Sequence, residues 1–152
     1  MCIFKMLSKK SLMICWFFLQ FSPFLCVLSI FDDIELPLKN IKKLLKTGGY
    51  LLVHGMFNPW PLDVYIKYKS ANLPHSDFES GWNIVSQEKM KSVSEDLGFS
   101  NIKFTLFKIK VEIEKNFDDP VRSWTETLIE GDRQIVNGLC IKQPQYIFQA
   151  TC

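Results

Sequence analysis

The stretch LKNIKKLLKTGGYLLVHGMFNPW, residues 38–60, decides the fold, because a helix, a stop, a strand and a loop follow one another in it without a gap. Leu38, Ile41, Leu44 and Leu45 recur at the spacing of one helical face, while Lys39, Lys42, Lys43 and Lys46 fall elsewhere around the wheel. Pro37 suits a first helical turn, Lys46 the negative end of the helix dipole, and Gly48 or Gly49 the left-handed residue that ends a helix. Residues 50–53 form a short, nearly all-apolar run, the signature of a strand buried on both faces of a parallel sheet. Together they read as the α-to-β half of a doubly wound fold.

Working outward, residues 24–29 (FLCVLS) read as the preceding strand. Ser86 is placed to cap a helix over 87–97 with Met90, Val93 and Leu97 on its buried stripe and Gly98 after it. A strand follows, alternating at Ile102, Phe104 and Leu106 and again from Phe107 to Ile113; the slip of phase between 106 and 107 predicts a bulge or bend there. Val64, Tyr65, Tyr68 and Ala71 share a side of a short helix, and residues 72–82 read as loop, with His75 an exposed loop residue. In the tail, segments 125–129 and 134–140 flank Glu130-Gly131-Asp132-Arg133, a hairpin signal, and Gln143-Pro144 turns the chain into a closing strand over 146–150.

This order resembles the later half of class I, S-adenosylmethionine-dependent methyltransferases. There "LLK-x-GG" and the apolar run are the fourth helix and fifth strand, residues 24–29 the fourth strand, and residues 86–107, with the Leu97-Gly98-Phe99 turn, the last helix and sixth strand. Leu25 stands where the family usually has an acid in its fourth strand. The resemblance implies an α/β fold: an incomplete Rossmann-like methyltransferase sheet of strands four to seven with an antiparallel C-terminal hairpin, the last strand antiparallel beside the sixth. It divides the chain into an apolar leader, 1–22, and a partial methyltransferase-like domain, 23–152.

The implied cofactor is S-adenosylmethionine. Ser29, Ile30 and Asp32, at the carboxyl edge of the sheet where such folds bind ligands, face it by this resemblance; alternatively Asp32 and Asp33 open the following helix. His54 is the candidate general base and Asn58, Trp60 and Arg122 the candidate contacts to the methyl acceptor. The other reading of His54 and Asn58 is that they satisfy a tight turn, with Phe57 and Trp60 filling core. Arg122, Trp124 and Asn137 suit an anionic or polar acceptor; alternatively the Arg pairs with Asp118 or Asp119 and the Trp lies in the core. The family binds its cofactor through a glycine-rich loop and an acid that holds the ribose. Neither is present among these 152 residues, so the expectation is a domain fragment with little activity alone, whose cut edge at the fourth strand invites self-association.

Composition bounds the function classes. An apolar fraction of 47% supports a packed core, and a net charge of +2 over mixed Lys and Glu leaves no nucleic-acid footprint. Cys2, Cys15, Cys26, Cys140 and Cys152 include no C-x-x-C pair, which reads as reduced thiols in a cytoplasmic protein with no metal site. Residues 11–31 carry no charge and follow Lys5, Lys9 and Lys10, which copies a signal anchor. A non-catalytic interaction module held at a membrane by this run is therefore the alternative.

Overall fold

The computed structural model describes residues 21–25, 28–69, 77–80, 82–119, 121–128, 131–139 and 141–152, with 21–25 and 80 described by their backbone alone. The elements are β1 (Phe21–Leu25), a 3-10 turn (Leu28–Ile30), α1 (Glu35–Lys42), β2 (Tyr50–Asn58), β3 (Lys67–Tyr68), β4 (Glu79–Ser80), β5 (Val85–Ser86), α2 (Gln87–Asp96), β6 (Ser100–Leu106), β7 (Trp124–Thr127), β8 (Arg133–Val136) and β9 (Gln145–Thr151). The fold is α/β, with a mixed sheet in the order β1-β2-β9-β6 and a separate β7–β8 hairpin. β1 runs parallel to β2, while β9 lies antiparallel between β2 and β6. The closing strand thus lies antiparallel beside the strand that follows the last helix, as expected.

The central unit folds as its sequence directs. Pro37 lies in the first turn of α1, Leu38 and Ile41 turn inward, and Gly48 adopts φ +75, open to glycine at little cost. β2 continues through His54 to Asn58, five residues beyond the apolar run, because Gly55, Met56 and Phe57 keep pairing with β9 or β5. Only one of its faces is fully buried. Leu51 and Val53 are 0% exposed, whereas Tyr50 is exposed and Leu52 and His54 half-buried. The helices account for this asymmetry. α1 contributes Leu38 and Ile41, and α2 Met90, to one cluster with Leu51, Val53, Phe57, Phe148 and Ala150, so both helices cover the same face of the sheet. Ser86 caps α2 by accepting from the Lys89 N–H at 3.2 Å, and Gly98 ends the helix with φ +80.

Several local expectations differ. The first strand occupies Phe21–Leu25, three residues earlier than read, and Leu28–Ile30 turns instead. Segment 64–69 is no helix: Val64 bridges to Ile84, and β3 pairs with β4, inside the stretch read as loop. The register irregularity of β6 lies between Ser100 and Lys103, where Asn101 adopts φ +52, and the strand simply ends at Leu106. The hairpin is where its glycine placed it, Gly131 turning at φ +82.

Among the described residues no helix is long and apolar enough to cross a membrane. Part of the uncharged run, Phe21–Leu25, is strand; residues 1–20, Cys26, Ala71, His75 and Cys140 lie outside the described residues.

Candidate functional site

The carboxyl ends of the parallel strands β1 and β2 lead into two segments that meet: 28–33 after β1 and 58–67 after β2. The link is Asn83, 0% exposed and equipped with an amide that offers one acceptor and two donors. Its Oδ1 accepts from the Ile66 N–H at 2.8 Å, and its Nδ2 donates to the Phe31 carbonyl at 3.1 Å and to Asp32 Oδ1 at 3.0 Å. The Asn83 N–H donates in turn to the Ser29 carbonyl at 2.8 Å. Neighbouring Trp82 has φ +61, an uncommon conformation for a bulky residue, held beside this bonded hub.

Of the cofactor-side candidates, Ser29 is buried, Ile30 is 43% exposed, and Asp32 is exposed with Oδ2 paired to the Lys67 ammonium at 2.8 Å. The two aspartates have separate roles: Asp33 Oδ1 accepts from the Glu35 N–H at 2.9 Å and so opens α1, while Asp32 joins the two segments.

On the acceptor side, Asn58 clamps the turn it begins. Its Oδ1 accepts from the Trp60 N–H at 3.1 Å and its Nδ2 donates to the Leu62 carbonyl at 2.8 Å. Between them Pro59 and Pro61 stiffen a tip that leaves Trp60 72% and Leu62 65% exposed. Trp60 is thus outside the core. Asp63 Oδ1 then accepts from the Ser86 N–H at 2.7 Å, and its other oxygen lies 3.3 Å from the Lys89 ammonium, which donates to the Tyr65 hydroxyl at 2.7 Å. His54 sits within β2 opposite Leu25 of β1, its ring edge-on to Phe107 at 4.6 Å. Arg122 is exposed, and its N–H bonds the Asp119 carbonyl at 3.1 Å in a turn; its side chain joins neither of the meeting segments. Among the described residues no group of three His, Cys, Asp or Glu is placed to hold a metal.

The electrostatics give a pH dependence in two steps. Burial lowers the His54 imidazole below its ordinary 6.5. Partial burial would raise the Asp63 carboxyl, but the Ser86 bonds and the Lys89 ammonium outweigh it, and the net shift is downward from 3.8. Both folded values are depressed, so both contributions are present above the unfolded pKa and lost as pH falls through the folded one. Urea unfolding across pH should show stability falling below about pH 6.5 and again below about pH 3.8. His54→Gln should abolish the upper step and keep the lower.

Sequence reasoning missed Asn83, Lys67 and Lys89, since each acts on a segment far away in the chain. Compared with models of known protein families and with curated protein sequences, this chain matches none.

Proposed function

We propose that the chain is a methyltransferase-like α/β unit, corresponding to strands four to seven of a class I, S-adenosylmethionine-dependent enzyme. The observation that carries this reading is the order β1-β2-β9-β6 with β9 reversed between β2 and β6. In that family's terms β1 and β2 are the fourth and fifth strands, β6 the sixth and β9 the seventh. The placement of α1 and α2 on one face, each connecting successive strands, supports the same assignment.

In this reading the segments after β1 and β2 face the reaction. His54, held neutral by its burial, is the base that takes a proton from the acceptor. Trp60 supplies contact area to the acceptor, Asn58 stiffens the turn that presents it, and Arg122 belongs to a more distant subsite. The residues present do not make a cradle for the cofactor. The Ser29 carbonyl is engaged by Asn83, the Asp32 carboxylate by Asn83 and Lys67, and no glycine-rich loop occurs in the sequence. We assign the unit to the cytoplasm because its five cysteines include no C-x-x-C pair, with β1, the outer strand among those described, as the surface for self-association or for a completing segment.

The test is a calorimetric titration of S-adenosylmethionine, first into this chain and then into a version carrying whatever glycine-rich strand-loop-helix the transcript encodes in frame with residue 1. Each missing charge-assisted bond is worth about 1.5–3 kcal/mol, so the 152-residue chain should bind no tighter than millimolar, and the extended one at micromolar concentrations. Micromolar binding by this chain alone, or an extended transcript that lacks such a segment, defeats the reading.

One observation favours the non-catalytic alternative: the clamped, exposed Trp60–Leu62 tip resembles a docking knob. Loss of partner capture on Trp60→Ser, without any cofactor binding, would select it.

A further inference from the structure

The β7–β8 hairpin carries a feature independent of that assignment. Residues directly opposite in an antiparallel pair share a face. Trp124 faces Val136 and Glu126 faces Gln134, and these four side chains make a floor. Thr125 is bonded to Ile113, the N–H to its carbonyl at 3.0 Å and the Oγ1 from its N–H at 2.9 Å. That contact brings Lys115 across the floor, with its ammonium 4.5 Å from the Trp124 ring centroid. At the other rim the Gln143 N–H donates to the Ile135 carbonyl at 3.1 Å and fixes Ile141 and Lys142. The cleft is open to solvent along one side and measures about 390 Å³, the size of a small-molecule site.

Its chemistry is specific. Two ammonium groups and one carboxylate line it, a balance of +1 that suits a monoanion better than a phosphate dianion. Neither Lys115 nor Lys142 belongs to an ion pair among the described residues. Asn137, at the end of the cleft, spends its amide on the fold: Nδ2 donates to the Val121 carbonyl at 3.3 Å, and Oδ1 accepts from the Leu139 N–H at 3.1 Å. The apolar wall consists of Val136, Ile141 and the indole of Trp124.

We propose that this cleft binds a small carboxylate on a flat apolar body, the carboxylate lying between Lys115 and Lys142 and the body against Val136, Ile141 and Trp124. Glu126, whose Oε1 accepts from the Trp124 indole N–H at 3.3 Å, and Gln134 line the cleft beside the indole, where a ligand amine finds an acceptor in the carboxylate. An aryl-alkanoic acid and an aromatic amino acid share this chemistry, and Glu126 distinguishes them.

The experiment titrates 3-phenylpropanoate, L-phenylalanine and neutral 3-phenylpropanamide into the full chain and follows the Trp124 indole N–H by two-dimensional NMR. Both carboxylates should give a saturable shift at millimolar concentration and the amide a much weaker one. Lys142→Ala, at an exposed position that does not threaten folding, should weaken carboxylate binding about tenfold, the equivalent of one charge-assisted bond. Tighter binding of L-phenylalanine, abolished by Glu126→Gln, identifies an amino-acid site; equal or tighter binding of 3-phenylpropanoate identifies a simple acid site. No saturable shift, equal binding of the amide, or indifference to Lys142→Ala overturns the proposal.

Discussion

Phe148→Ala should destabilise the protein by about 3–5 kcal/mol, the range for emptying a core aromatic position. Phe148 is 0% exposed in β9, opposite Val53 of β2 on one side and Phe104 of β6 on the other. Its ring lies 5.2 Å from that of Phe104 and 6.2 Å from that of Phe57, while Phe57 and Phe104 meet edge-on at 5.4 Å. Removing it therefore breaks two of three mutual ring contacts, each worth about 0.5–1.5 kcal/mol beyond its buried area. The cavity would open where β9 joins β2 to β6, under the layer formed by α1 and α2, and neither backbone can close in because each is hydrogen-bonded in register. Domains are stable by only about 5–15 kcal/mol, so much of the total is at stake. Urea unfolding should show a large drop in midpoint with little change in slope. Phe148→Leu should cost far less, and Leu36→Ala, at a side chain 62% exposed, should stay within about 0.5 kcal/mol. A Phe148→Ala variant as stable as the parent would mean that the three rings are not the centre of the core.

The parts legible in the sequence were those in which a local chemical requirement coincided with the global fold. Leu38 and Ile41 at helical spacing, Gly48 at positive φ, Ser86 as a cap and Gly131 in the hairpin each have one inexpensive conformation, and the fold uses it. The first strand was misplaced because residues 21–31 are apolar without period, so nothing in them marks a boundary. Pro23 lies within β1, the outer strand among those described, where a missing N–H is tolerated. Segment 64–69 misled because Val64, Tyr65 and Tyr68 fit a helical face equally well. Its strand pairing is decided by Glu79 and Ser80, residues further along the chain. The slip at 106–107 marked the end of a strand, while the true irregularity sat at Asn101, a residue type that tolerates positive φ. The carboxyl edge was legible as the place where the chain segments after β1 and β2 meet, but their wiring was not. Asn58 shows why: a polar residue beside two prolines suggests a ligand contact, whereas both ends of its amide serve the turn.

Asn83→Ala should cost about 2–4 kcal/mol, although it removes only a small polar side chain from a loop. Three bonds disappear at once, and the groups left behind differ in their access to water. The N–H of Ile66, a residue 9% exposed, and the Phe31 carbonyl lose their partner in a place that water does not readily enter, at about 1–3 kcal/mol per orphaned group. Asp32 keeps the Lys67 ammonium, but that pair is about half exposed on each side and adds less than about 1 kcal/mol. The loss should therefore be local first. Hydrogen exchange at the Ile66 amide should accelerate markedly while amides of β2 and β9 follow only the global change. Asn83→Asp separates bonding from shape. It keeps an acceptor for Ile66 but turns a carboxylate toward the Phe31 carbonyl and Asp32 Oδ1, so at neutral pH it should destabilise at least as much as Ala. Repulsion from Asp32 and burial both raise the pKa of the new carboxyl in the folded state. Its penalty should shrink as pH falls toward about 4 and the group takes up a proton, the opposite direction to the acid loss carried by His54 and Asp63. Should Asn83→Ala cost under about 1 kcal/mol with the Ile66 amide still protected, the two segments are joined by other contacts, and Asn83 is not what holds Asp32 at the sheet edge.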